Sequence, residues 1–111
     1  MFATRTQLPA LTTSGAALDL ALVAAEIRRV LADTPAEVVL FGSQARGEAS
    51  RSSDIDIAIR AAQPLPHATL VALRAAFEDS GVVRRIDLVD WHAAGLALRE
   101  SIAREGVLWT R

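Results

Sequence analysis

Apolar residues recur along the chain in two rhythms, one helical and one alternating. From Ala16 to Ala32, Leu20, Val23, Ile27, Val30 and Leu31 return every three or four positions, which predicts a helix burying one stripe. Thr13 or Ser14 can cap its start. Asp33-Thr34-Pro35 ends it, because the residue before a proline is pushed out of the helical region. Glu37 to Phe41 then forms a short buried strand, and Gly42-Ser43 closes it in a sharp turn. Gln44 to Ser53 is small and polar, and predicts a brief helical turn with an exposed loop. Asp54 to Ile59 alternates with period two, so it is a second strand. Beyond Pro64 and Pro66, Ala68 to Asp79 suits a helix with Leu70, Leu73, Ala76 and Phe77 inside, ended by Gly81. Val82 to Trp91 is a third strand candidate. Ala94 to Arg104 is a last amphipathic helix ending at Gly106, where a left-handed cap is expected. Val107 to Trp109 adds a terminal strand. The order of elements describes one α/β or α+β domain over 16–111, a small β-sheet flanked by helices, behind an N-terminal extension over 1–15.

Length and composition narrow what such a domain can do. With 111 residues the chain holds one core and no second domain of any size. Its apolar stretches are broken by Asp19, Glu26 and Arg28 well short of a bilayer span, so no membrane segment is expected. Met1 to Ser14 lacks the pattern of a signal peptide, which makes a cytoplasmic location the default. The absence of cysteine excludes disulfides and thiolate metal sites. A net charge of -1 supplies no basic field for gathering nucleic acid, and no direct nucleic-acid binding is expected.

The chemistry concentrates on acids and glycine. Asp54 and Asp56 lie two apart in a strand, so both carboxylates leave one face while Ile55, Ile57 and Ile59 anchor the other. Like charges held that close repel, and a hard divalent ion such as Mg²⁺ removes the cost. A third acid comes from the later strand, which offers Asp87 and Asp90 on opposite faces. With Ile86 and Leu88 packed inward beside Asp90, Asp87 shares the other face with Arg85 and Val89, and Asp87 is the choice. Gly42 lets backbone approach phosphate oxygens, Ser43 donates a hydroxyl to them and Arg46 adds a charged donor. Ser53 either caps the turn into the strand or contacts a phosphate. His67 and His92 stand singly beside helix starts, where capping or exposure is expected. Trp91 and Trp109 read as core or interface, and Glu26, Arg28, Arg29, Glu78 and Asp79 as solvated helix faces.

The stretch Phe41-Gly-Ser-Gln-Ala-Arg-Gly47 followed by Ser53-Asp-Ile-Asp56, with ten residues between Ser43 and Asp54, resembles the motif of the DNA polymerase beta-type nucleotidyltransferases. It is similar in particular to the minimal nucleotidyltransferases, including antitoxins paired with HEPN-domain ribonuclease toxins. Ile86 to Val89 and Ser101 to Trp109 also look like their counterparts there, so the likeness covers the chain from about Ala16 onward. The resemblance implies a mixed sheet, and assigns triphosphate binding to Gly42 and Ser43 and metal to Asp54, Asp56 and Asp87. It gives Asp87 a part in activating the acceptor hydroxyl. It further implies ATP as substrate, Mg²⁺ as cofactor and transfer of AMP to a tyrosine of a partner HEPN toxin in a hetero-oligomer. Two other functions compete: neutralisation of a toxin by binding alone, and nucleotidyl transfer to a small molecule, against which the missing acceptor domain argues.

Overall fold

A computed structural model of the protein describes residues 14–42 and 54–109. Its elements follow the expected order. Helix α1 spans Ser14–Val30, strand β1 Ala36–Phe41, strand β2 Ile55–Ala61, helix α2 His67–Asp79 and strand β3 Ile86–Asp90. A 3-10 turn at Trp91–Ala93, helix α3 at Leu96–Glu105 and strand β4 at Val107–Leu108 complete them. The expected 44–53 loop lies outside the described residues, as does the expected extension apart from Ser14 and Gly15, which open α1.

The strands form a mixed sheet in the order β3-β2-β1-β4, with β1 antiparallel to β2 and β4, and β3 parallel to β2. The parallel β2–β3 pair needs a crossover, and α2 supplies it. Alternation sorts the side chains. Val38, Leu40, Ile55, Ile57 and Ile59 turn to one face and pack with Leu20, Val23 and Ile27 of α1, with Leu31 just past its end, and with Leu73 and Phe77 of α2. Val39, Phe41 and Ala58 turn to the other and pack with Ile102 of α3. Among the described residues, the sheet is therefore covered by two helices on one face and by one short helix on the other. No helix among the described residues is long and apolar enough to cross a membrane.

Two local expectations change. β3 is shorter than the apolar run suggested, since Val82 to Arg85 precede the strand; Val83 is almost fully exposed, and Arg84 is drawn into an ion pair with Asp19 of α1 at 2.8 Å. Gly106 is extended (φ -69°, ψ 146°) rather than left-handed. Space explains its glycine, because a Cβ there would run into the Ile102 carbonyl oxygen and a Val39 methyl. Gly81, by contrast, has φ +85° just past the end of α2, the left-handed conformation that suits a glycine ending a helix.

Candidate active site

The sheet register brings the acids of two strands side by side. In the parallel β2–β3 pair Asp56 faces Asp87, and in the antiparallel β1–β2 pair the same Asp56 faces Phe41. Residues paired across a ladder leave the same face, so both carboxylates stand on the α3 side of the sheet, past the end of the Phe41–Ala58–Ile102 cluster. Asp54, half-buried, stands one residue before β2, two from Asp56. The backbone beside it is tied down, since the Ile55 N–H donates to the Arg85 carbonyl at 2.9 Å.

Gly42 follows directly from β1 and belongs to this group. Its φ of +71° is a conformation that residues with a side chain rarely adopt, and a Cβ there would collide with the Asp56 carboxylate. The glycine and the acid, 14 positions apart in the sequence, thus need each other: backbone comes to within contact of a carboxylate only where no side chain intervenes. Ser43, Arg46 and Ser53, the other expected triphosphate contacts, lie outside the described residues.

Asp87 and Asp90 part company as alternation requires. Asp87 is 39% exposed and accepts from Arg85 Nε at 3.1 Å. Asp90 is buried and committed: its Oδ2 accepts from the Leu65 N–H at 2.9 Å and its Oδ1 from the His92 N–H at 3.1 Å. It fastens the connection after β2 to the turn after β3, a structural task. His92 turns its Nε2 to the Ala61 carbonyl at 2.8 Å, while His67 is exposed at the first position of α2. Trp109 is core, and Trp91 is half-buried with the Arg60 and Arg99 guanidiniums over its ring. The expected wet faces are wet, Glu26 pairing with Arg29 at 2.7 Å on the surface of α1.

As donors, carboxylates on adjacent strands suit a hard divalent cation. The described residues contain no ready-gathered set of three metal-ligating side chains, and the Asp87 carboxylate engages Arg85. Alternation set Arg85 on the side of Asp87 but gave it no role; it stands just before β3, two residues from Asp87.

A sheet of this topology, with acids in register on two strands and a glycine turn against one of them, is the frame of a nucleotidyl-transferring domain. The chain belongs to the polymerase beta nucleotidyltransferase family, whose model matches residues 25–110. It is similar to the probable protein adenylyltransferase MntA of Haemophilus influenzae, with 35% identity over 78% of this chain and 74% of that protein. Among solved structures it is similar to a toxin–antitoxin complex with AMP-PNP, at 32% identity and TM-score 0.61 over 78% of this chain and 73% of that one. It is also similar to a chain of the complex of a tri-AMPylated Shewanella oneidensis HEPN toxin with an MNT antitoxin, at 26% identity and TM-score 0.58 over 84% of this chain and 73% of that one.

Proposed function

We propose that the protein transfers AMP from ATP to a hydroxyl, a tyrosine foremost, of a partner HEPN-domain ribonuclease toxin and so acts as the antitoxin of the pair in the cytoplasm. The observation that carries the reading is the register of Asp56 with Asp87, with Gly42 packed against Asp56. The relatives support the acceptor, since one is named a protein adenylyltransferase and another is a complex containing an AMPylated HEPN toxin. In this reading Gly42, Ser43, Arg46 and Ser53 hold the triphosphate, and Asp54, Asp56 and Asp87 hold Mg²⁺. A divalent cation supplies neutralisation of the triphosphate and of the departing pyrophosphate. The acceptor oxygen attacks the α-phosphorus as the bond to the bridging oxygen of the β-phosphate breaks, and that oxygen leaves with its electron pair as pyrophosphate. The hydroxyl proton passes to the Asp87 carboxylate, which is near enough to solvent to release it.

The test is to incubate the protein and its HEPN partner with ATP and Mg²⁺ and take the intact mass of both chains. The expected result is one or more AMP units on the partner, absent with Asp54→Asn/Asp56→Asn. Unchanged masses together with preserved neutralisation of the toxin would replace transfer by binding alone.

A further inference from the structure

Arg85 sits where a cation is least expected in a site built for one. Its carbonyl takes the Ile55 N–H, the bond that anchors the first parallel pair, Ile55 with Ile86. Continued one residue back, the register sets Arg85 across from Asp54, on the face that Asp56 and Asp87 share. The guanidinium Nε donates to Asp87 Oδ1 at 3.1 Å, and the side chain is 75% exposed, so the pair lies at the open rim.

The carboxylates of Asp56 and Asp87, in register on adjacent strands, stand where like charges repel, and an arginine there brings the opposite charge. We propose that Arg85 is a resident counter-ion of Asp87, holding its carboxylate until a divalent cation enters and takes its place. The inference rests on the assignment of Asp87 as a metal ligand. It makes Arg85 a positioning residue: it competes with the metal for one carboxylate and keeps that carboxylate over the site in the meantime. Its exposure is what makes the exchange feasible, because an exposed ion pair is weak and a divalent ion outbids it.

The experiment is a titration with Mn²⁺ alone, free Mn²⁺ being read by electron paramagnetic resonance, on the intact chain without nucleotide. Wild type is compared with Arg85→Ala, Arg85→Lys, Asp87→Asn and the Arg85→Ala/Asp87→Asn double variant, each checked for an unchanged thermal midpoint. Asp87→Asn is expected to weaken binding. Arg85→Ala is expected to tighten it about two- to five-fold, the range an exposed ion pair supports, and Arg85→Lys to return it toward wild type. In the Asp87→Asn background the effect of Arg85→Ala should vanish, which separates a direct pair from a general loss of positive charge. If Asp87→Asn weakens binding but Arg85→Ala does not tighten it, or tightens it equally in both backgrounds, the counter-ion role is overturned while the metal assignment stands. If Asp87→Asn leaves Mn²⁺ binding unchanged, the metal assignment fails and the counter-ion role with it.

Discussion

At the scale of single residues, the two glycines with positive φ among the described residues separate strain from function. Gly42 and Gly81 have φ of +71° and +85°, but a Cβ at Gly42 meets the Asp56 carboxylate whereas one at Gly81 meets nothing within 4 Å. Both alanine substitutions carry the backbone cost, about 1 kcal/mol of stability each. Only Gly42→Ala also displaces an acid, and a shift of about 1 Å at a reacting centre costs on the order of 100-fold in rate. Initial rates of AMP transfer, set beside urea unfolding, should therefore show Gly42→Ala nearly inactive and Gly81→Ala close to wild type. Equal rates would mean that Asp56 does not need its present place. Asp56 and Gly42 were both visible in the sequence, because a glycine after a strand and acids at i, i+2 have direct physical readings. Their mutual contact was not, since it depends on the antiparallel register of β1 with β2, which pattern alone does not set.

The two acids of β3 are set apart by the elements that surround them. Alternation put Asp87 and Asp90 on opposite faces, and the structure agrees: Ile86 and Leu88 pack toward α1 and α2, Val89 toward α3. What alternation could not tell was that Asp90 has a full-time occupation, two backbone N–H groups from segments 25 and 2 residues away. Asp90→Ala leaves these donors without their acceptor, and an unmet buried donor costs about 1–3 kcal/mol. Asp87→Asn, at a half-exposed position, should change stability by less than about 0.5 kcal/mol while abolishing transfer. Denaturant midpoints and transfer rates for the two variants should cross over in this way. Loss of transfer in Asp90→Ala under conditions where it remains fully folded, with transfer intact in Asp87→Asn, would reverse the assignment. The same scale shows where periodicity overreached. Val82 to Arg85 have strand-like composition, yet the Asp19–Arg84 ion pair ties this stretch to α1, and ladder pairing starts at Ile86.

For the molecule as a whole, a cluster of acids is a stability cost that ligand binding reverses. The core lies mainly on the α1 and α2 side, built from positions that helical and strand periodicity picked out in advance, while the α3 side ends in carboxylates. Like charges fixed together destabilise the fold in the absence of a cation, and functional sites commonly carry such a cost. Asp54→Asn/Asp56→Asn removes two carboxylates offered to a cation and is the variant to set beside wild type. A ligand bound only by the folded state stabilises by about 2.7 kcal/mol at 100 times its Kd. For a chain of this size that raises Tm by roughly 10 °C. Differential scanning with saturating ATP and Mg²⁺ should lift wild type by such an amount and leave the double variant where it was. A double variant that shifted as far as wild type would mean that nucleotide is held without these carboxylates, and the site would have to be sought elsewhere on the sheet.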